Sequence, residues 1–158
     1  MKNAVVLNED FLDVISALQS EGAEFLLVGG YAVSLYGYPR ATKDIDFFIR
    51  RSADNATRVL RALKTFGAPL RGLDEQTLQQ ADVGFQIGVA PCRIDFLTSI
   101  SGVEFDEAWD SRQTHIIDGH ALPVIGLAEL LKNKHASGGP QDLVDAAELE
   151  ARVNEKSG

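Results

Sequence analysis

The segment of residues 25–49, FLLVGGYAVSLYGYPRATKDIDFFI, predicts two strands separated by a glycine turn and a short helix. The run Phe25–Val28 is short and wholly apolar, which is typical of a buried strand bounded by turn residues. Gly29-Gly30 ends this strand, and residues 31–36 suit a short helix. Residues 44–49 predict a strand that is acidic where it begins and apolar further along.

Three aspartates belong to the predicted strands. Asp44 and Asp46 stand two residues apart and so project from the same side of their strand, and Asp95 alternates with the apolar Ile94 and Phe96 in another strand. If these strands are neighbours, three carboxylates converge, and they repel one another unless a cation or a proton intervenes. A hard divalent cation, Mg2+ or Mn2+, suits oxygen ligands better than zinc does. The alternative is that the acids are merely solvated at a sheet edge.

The Gly-Gly turn has two interpretations. Without a Cβ atom at Gly29 and Gly30, a phosphate can approach the backbone closely, and the amino terminus of the following helix supplies free N–H groups. The turn lacks the spacings G-x-G-x-x-G and G-x-x-x-x-G-K-[ST], so neither a dinucleotide site nor a P-loop is indicated. The alternative is an ordinary turn that binds no ligand.

Several blocks of the sequence carry a family resemblance. The blocks LVGGYA (27–32), RATKDIDF (40–47) and IDF (94–96) resemble the motifs of minimal nucleotidyltransferases of the polymerase-beta-like superfamily. The later blocks LAELLKNK (127–134) and PQDLVD (140–145) are similar to the carboxy-terminal helices of bacterial members related to abortive-infection toxins. The resemblance implies an α+β fold with a mixed β-sheet flanked by helices and two carboxy-terminal helices. We expect one domain over residues 1–158, with a core at about residues 8–153.

The resemblance also implies a reaction and its residues. Such enzymes transfer a nucleoside monophosphate from a nucleoside triphosphate (NTP), for example ATP, to an acceptor hydroxyl and release pyrophosphate. By resemblance, Gly29 and Gly30 would bind the triphosphate. Asp44, Asp46 and Asp95 would be the catalytic residues and would bind two Mg2+ or Mn2+ ions.

Other residues are less typical of the family or have a second interpretation. Arg40, Thr42 and Lys134 are further candidates for nucleotide binding, but Arg40 and Lys134 could equally be solvated surface cations. Many relatives carry Ser in the place of Gly30, and an arginine in the place of Gly139. The alternative function is therefore a non-catalytic nucleotide-binding or regulatory module that retains the fold.

The acceptor is left open by the sequence, and tRNA, a protein and a small molecule such as an aminoglycoside are the candidates. The resemblance implies a toxin with an antitoxin partner. The net charge of −8 argues against broad binding to nucleic acid. Arg58, Arg61 and Lys64 recur at helical spacing, and a solvated helix face is the favoured interpretation of this stripe.

The remaining sequence patterns predict no membrane segment and no zinc site. There is no signal pattern or spanning apolar stretch, so we expect a soluble, cytoplasmic protein. His115, His120 and His135 lack zinc-site spacing. Cys92 is the single cysteine, and we expect it to be a small buried hydrophobe.

The other secondary structure follows from periodicity and turn residues. The expected helices cover residues 9–20, with Asn8 as the cap, 54–66 and 73–80, and two more helices finish the chain. Hairpins are expected for residues 83–98 and around Asp118-Gly119. Phe105 and Trp109 are expected to form a core-facing pair on one helix.

Overall fold

The computed structural model describes residues 7–39, 42–89 and 92–157. Over these residues the chain forms helices on a single mixed sheet. The elements, in order, are α1 (Glu9–Ser20), β1 (Phe25–Val28), α2 (Gly29–Leu35), β2 (Ile45–Ile49), α3 (Ala53–Phe66), β3 (Gly84–Val89), β4 (Cys92–Leu97), α4 (Phe105–Asp110), β5 (Gln113–Ile117), β6 (His120–Val124), α5 (Leu127–Ser137) and α6 (Pro140–Ser157).

The sheet has six strands in the order β3-β4-β2-β1-β6-β5. β1 is antiparallel to β2, whereas β2 is parallel to β4 and β1 is parallel to β6. The two outer pairs, β3 with β4 and β5 with β6, are antiparallel hairpins. This arrangement confirms the expected mixed sheet with flanking helices, including the two helices at the carboxy-terminal end.

The pairing register brings the glycine turn and the acidic residues to one end of the sheet. Val28, the last residue of β1, is paired with Asp46 in β2, and Asp46 is paired in turn with Asp95 in β4. Ile94 and Phe96 are buried on the other side of β4. Because side chains alternate along a strand, Asp95 is left on the opposite face from these apolar neighbours.

Helices α1 and α3 have apolar faces buried in the core. Their buried side chains recur at helical spacing, which is why each helix presents one face to the core; they include Phe11, Ile15 and Leu18 in α1 and Val59 and Leu63 in α3. The side chain of Asn8 accepts a hydrogen bond from Phe11 N at 2.9 Å, which confirms the expected cap. Arg58, Arg61 and Lys64 are exposed, as expected for a solvated helix face.

Two expectations differ from the structure. The helix expected for residues 73–80 is a single 3-10 turn at Thr77–Gln79, because the Asp74 side chain accepts bonds from Thr77 N and Oγ1 and replaces the helical pattern with a local turn. Cys92 is exposed, so its assignment as a buried hydrophobe is wrong. It is the first residue of β4, beside the hairpin turn, and the sheet does not cover it.

The predicted hairpin turn and the predicted aromatic pair are both present. Asp118 and Gly119 both have positive φ angles, of 49° and 81°, as a tight hairpin turn between β5 and β6 requires. Phe105 and Trp109 stack with ring centroids 5.6 Å apart, and both are partly buried against the core. None of the helices in the described ranges is long and apolar enough to cross a membrane.

Asn55 connects α3 to the strands that carry the site. It is 3% exposed, its Oδ1 accepts from Glu24 N at 2.6 Å, and its Nδ2 donates to the carbonyls of Glu24 and Arg50 at 2.9 and 2.8 Å. These two residues flank β1 and β2 at the end opposite the aspartates. One side chain therefore bonds to three backbone groups, and the Glu24 carbonyl among them also accepts from Arg50 N at 3.3 Å.

We predict that Asn55→Ala lowers the free energy of unfolding by about 2–3 kcal/mol, because Glu24 N and the Arg50 carbonyl lose their Asn55 partner and the Glu24 carbonyl keeps only its bond from Arg50 N. Urea denaturation measures the change. Thr57→Ala is the matched control, since its hydroxyl bonds only to the Ala53 carbonyl on an exposed turn, and it should change stability by less than about 0.5 kcal/mol. Equal effects of the two substitutions would show that the Asn55 bonds are dispensable.

Candidate active site

The parallel pairing of β2 with β4 brings the predicted carboxylates together. Asp46 and Asp95 are direct partners in the ladder, and their side chains share a hydrogen bond. Asp44 lies immediately before β2 and its negative charge also acts on Asp46. Two carboxyl groups can form a hydrogen bond only when one of them holds a proton. The three acids therefore form one electrostatic unit, as the sequence predicted.

The pKa of Asp46 is raised to about 7, and burial is the largest cause. The hydrogen bond with Asp95 and the negative charges of Asp95 and Asp44 contribute to this rise, and the positive charge of Lys134 opposes it. The carboxyl of Asp46 is thus about half protonated near pH 7. The proton offsets the repulsion that would otherwise arise between neighbouring carboxylates.

The donor atoms of this unit suit a hard divalent cation. All three side chains offer carboxylate oxygens, the ligands that Mg2+ and Mn2+ prefer. The raised pKa of Asp46 favours a proton on its carboxyl, and within the described residues no group of three His, Cys, Asp or Glu side chains has the arrangement of a metal site. The cation site expected at Asp44, Asp46 and Asp95 therefore stays a prediction.

Gly29 lies directly against the carboxylate of Asp46. Its φ angle is +71°, and a Cβ atom built at this position would collide with Asp46 Oδ2. A glycine is required here both by the backbone conformation and by the close approach of the acid. Helix α2 begins at Gly29 itself, and its N-cap residue Val28 supplies no side-chain bond to the first turn. The N–H groups of this turn are thus left uncapped by the side chain of Val28.

Thr42 and Gly30 belong to the same corner of the molecule. A Cβ at Gly30 would lie 3.2 Å from the Cβ of Thr42, so the absence of a side chain allows the segment before β2 to pack closely. Thr42 Oγ1 donates to the Asp44 carbonyl at 3.2 Å. Thr42 therefore fixes the backbone at the first aspartate. Arg40, the other candidate of this segment, lies outside the described residues.

Lys134 is buried, so the alternative of a solvated surface cation is wrong for this residue. Its side chain is 7% exposed, and Nζ lies 3.1 Å from Asp145 Oδ2 and 3.3 Å from Asp142 Oδ1. Its charge also acts on Asp46 across the gap between α5 and β2. One ammonium group therefore offsets carboxylates from both the sheet and α6.

Sequence reasoning missed three residues of this network. Asp142 and Asp145 stand three residues apart, so both lie on one face of α6. This spacing was the sequence signal from which the pair could have been predicted. Asp145 is completely buried, and Gln141 Nε2 donates to its Oδ1 at 2.8 Å. Gln86 in β3 donates to Asp95 Oδ1 at 2.6 Å. Its place opposite Asp95 depends on strand register, which the sequence did not reveal.

A cavity of about 330 Å3 opens beside Gly29 and Asp46. Its walls come from the ends of β1 and β4, from the segment that follows β4, from α5 and from Asp82 before β3; they include Leu97, Ser99, Ile100, Ser101, Asn133 and Ser137. The mixture of apolar side chains, hydroxyls, one amide and the Asp82 carboxylate is typical of small-ligand sites, in which a few polar groups fix the orientation of the ligand. The acidic unit thus forms part of the wall of a cavity.

The same architecture occurs in solved structures of nucleotidyl-transferring enzymes. The lincosamide antibiotic adenylyltransferase LnuA, in a lincomycin-bound structure, matches with a TM-score of 0.57 and 14% identity over 93% of this chain and 98% of that chain. The antibiotic-resistance factor ANT(2'')-Ia matches with a TM-score of 0.56 and 13% identity over 94% and 93% of the two chains. A Thermotoga maritima protein, TM1012, described as a nucleotidyltransferase, matches with a TM-score of 0.56 and 14% identity over 92% of this chain and 91% of that chain.

These identities are too low to carry more than a likeness of fold, and the fold is that of nucleotidyltransferases. Sequence comparison is more specific. A family profile described as "Nucleotidyl transferase AbiEii toxin, Type IV TA system" matches residues 10–118, and the chain belongs to this family of nucleotidyltransferases. None of the curated protein sequences matches it significantly. The family match confirms the resemblance seen in the glycine turn and the aspartates.

We predict that Asp46→Asn makes stability less dependent on pH in metal-free buffer. The pKa of Asp46 is raised from 3.8 to about 7, so the folded chain holds a proton that the unfolded chain releases, and stability is lost as the pH rises through this range. The shift corresponds to at most about 4 kcal/mol, and partial solvation reduces this.

We expect Asp46→Asn to exceed the wild type in the free energy of unfolding by about 2 kcal/mol more at pH 8 than at pH 4. Urea denaturation in EDTA across this range gives the two curves. Asp54→Asn, at an exposed position in the first turn of α3, is the control and should follow the pH dependence of the wild type. Parallel curves for Asp46→Asn and the wild type would mean that Asp46 titrates normally.

Proposed function

We propose that the chain transfers a nucleoside monophosphate from an NTP to an acceptor hydroxyl with the help of divalent cations, and that it serves as the toxin of a toxin-antitoxin pair. Transfer of a nucleotide follows from its family. The observation that supports the finer proposal is the pairing of Asp46 with Asp95 directly above Gly29. This pairing would put the proposed cation ligands next to a backbone that can receive phosphates.

The three aspartates would be the ligands of the cations. Two Mg2+ or Mn2+ ions bound there would lower the pKa of an attacking hydroxyl and neutralise the leaving pyrophosphate. The chain itself contributes placement: β2 and β4 hold Asp46 and Asp95 side by side, and Thr42 fixes the backbone of Asp44. No nucleophilic side chain is needed, because the acceptor supplies the attacking oxygen.

The triphosphate is proposed to lie over Gly29 and Gly30, where α2 begins. The missing Cβ atoms allow its oxygens close to the backbone N–H groups. The cavity beside Gly29 is large enough for the nucleoside end of an NTP, and Asn133 supplies an amide for hydrogen bonding to it. Lys134 is proposed to offset the charge of the phosphates from its place between Asp46 and the two acids of α6.

We predict that isothermal titration with MgATP and the other Mg-NTPs gives binding to the wild type and a loss of at least about tenfold in affinity for Asp44→Ala/Asp46→Ala, because the cation bridges the phosphates to these acids. Asp13→Ala/Asp54→Ala removes the same formal charge from exposed helix positions and should bind as the wild type does. Equal binding by wild type and the site variant would refute the assignment. NTP binding without any transfer of label from α-labelled NTPs would favour the regulatory module. That alternative is suggested by Gly139, which stands where many relatives have an arginine.

The toxin role is supported by the family description and carries its own test. We expect induced expression of the wild type to arrest bacterial growth, and expression of Asp44→Ala/Asp46→Ala/Asp95→Ala at an equal level to permit it, because the triple variant lacks the cation ligands. Colony counts after induction, with immunoblots for expression, measure the difference. Equal growth arrest by both chains would separate any toxicity from nucleotide transfer.

A further inference from the structure

Arg93 of β4 is a half-buried arginine beside the acidic unit. It stands two residues before Asp95, and because side chains alternate along a strand, both leave β4 on the same face of the sheet. Ile94, between them, is buried on the other face. The residue next to Ile94 in the ladder is Ile45, so Arg93 lies at the level of Asp44, the residue before Ile45.

The guanidinium of Arg93 is available to a ligand. Within residues 7–39, 42–89 and 92–157 it has no hydrogen bond, ion pair or ring contact. An arginine beside carboxylates ordinarily pairs with them. Asp95 instead accepts a hydrogen bond from the neutral amide of Gln86 at 2.6 Å. Because a guanidinium keeps its positive charge throughout the physiological pH range, Arg93 can bind an anion that comes from outside the chain.

The edge strand β3 leaves Arg93 uncovered. The ladder partner of Arg93 in β3 is Gly88, whereas the partner of Asp95 is Gln86. Gly88 has a φ angle of +88°, which favours glycine, and a Cβ built there would lie 3.1 Å from the Cys92 carbonyl. Since Gly88 has no side chain, β3 contributes a bonding partner to Asp95 and none to Arg93.

Arg93 and the glycine turn lie on opposite sides of Asp46. In the sheet, β2 has β1 on one side and β4 on the other, and Gly29 directly follows β1. The triphosphate is proposed to lie over Gly29. In nucleotidyl transfer the attacking oxygen and the leaving pyrophosphate are in line, on opposite sides of the phosphorus. The acceptor hydroxyl therefore has to approach from the side of β4, where Arg93 lies.

We infer that Arg93 binds a phosphate group of the acceptor, and that the acceptor carries this phosphate one sugar away from the hydroxyl that is modified. The inference rests on the proposed nucleotide transfer. Arg93 is then a specificity-determining contact: it selects acceptors that bring an anion to the side of β4. The aspartates and the glycine turn act on the nucleotide.

The spacing and charge of the site favour a phosphate on a sugar. Arg93 and Asp95 are two residues apart on one strand, about 7 Å between their Cα atoms. A nucleotide also separates its phosphate from a free hydroxyl by one sugar ring. The guanidinium fork binds phosphate through two hydrogen bonds. With a net charge of −8, the chain suits one such contact better than a long nucleic-acid surface. The end of an RNA chain and a free sugar phosphate share this chemistry.

The step proposed for this site balances without a further reactant. The acceptor oxygen forms a bond to the α-phosphorus of the NTP, and the bond from that phosphorus to the bridging oxygen of the β-phosphate breaks. Pyrophosphate leaves with the electron pair of the broken bond. The hydroxyl proton passes to a carboxylate of the acidic unit and from there to water. Arg93 makes and breaks no covalent bond.

The test uses the full chain, α-labelled NTPs and four pools of a bacterial extract: RNA, anionic small molecules, the remaining small molecules, and protein. We expect label in RNA or in the anionic small molecules, and the labelled pool identifies the source of the phosphate. Arg93→Gln should raise the acceptor concentration for half-maximal transfer by about tenfold or more, because a charged contact is lost. Its maximal rate should fall by less, and its MgATP affinity by calorimetry should stay within about twofold of the wild type.

Two further variants separate a contact from a general effect of charge. Arg93→Lys keeps the charge without the fork, so its half-maximal concentration should lie between those of Arg93→Gln and the wild type. Arg61→Gln removes the same charge from an exposed position on α3 and should behave as the wild type does. The MgATP titration also shows whether Arg93→Gln is folded.

The outcomes distinguish this inference from the function on which it rests. Label in protein or in the remaining small molecules would leave nucleotide transfer standing and overturn the phosphate-bearing acceptor. Equal transfer by Arg93→Gln and the wild type would overturn the contact, and so would a loss of MgATP affinity that accounts for the whole loss of transfer. Label in no pool would refute the proposed transfer itself and the acceptor contact with it.

Discussion

The repulsion between neighbouring carboxylates is the constraint on which the arrangement of this protein depends. The parallel pairing of β2 with β4 places Asp46 beside Asp95, and like charges at that spacing require a positive charge or a proton between them. The surroundings provide both. The raised pKa of Asp46 favours a proton on that carboxyl, and Lys134 of α5 adds a buried positive charge. The apolar residues that alternate with the acids pack in the core and keep the strands in place. Core packing therefore holds together carboxylates that would otherwise move apart.

Local sequence signals predicted most of the secondary structure. The Asn8 cap, the Gly-Gly turn and the Asp118-Gly119 hairpin each depend on residues close together in the chain, and each is present. The aspartates were found for the same reason, because an i, i+2 pair and an acid between two apolar residues are visible without knowledge of the fold. The exception is the short helix expected near residue 77. There the Asp74 side chain competes with helical hydrogen bonding, and the spacing of apolar residues does not reveal this competition.

The parts of the site that the sequence did not reveal depend on distant contacts. Asp142 and Asp145 became recognisable only when α6 packed beside Lys134, and Gln86 only when β3 was in register with Asp95. Lys134 itself had been left open between a phosphate ligand and a surface cation. Its burial depends on the packing of α5 and α6, which the spacing of residues in either helix does not determine. Strand order also depends on distant contacts, since no local sequence signal requires β1 to lie between β2 and β6.

The proton that the raised pKa of Asp46 favours affects the energetics of ligand binding. A cation that takes the place of this proton must release it, so binding becomes an exchange whose apparent affinity increases as the solution becomes less acidic. The heat measured on binding then includes the ionisation enthalpy of whichever buffer accepts the proton. Titrations in two buffers of different ionisation enthalpy would therefore give the number of protons displaced from the acidic unit per ion bound.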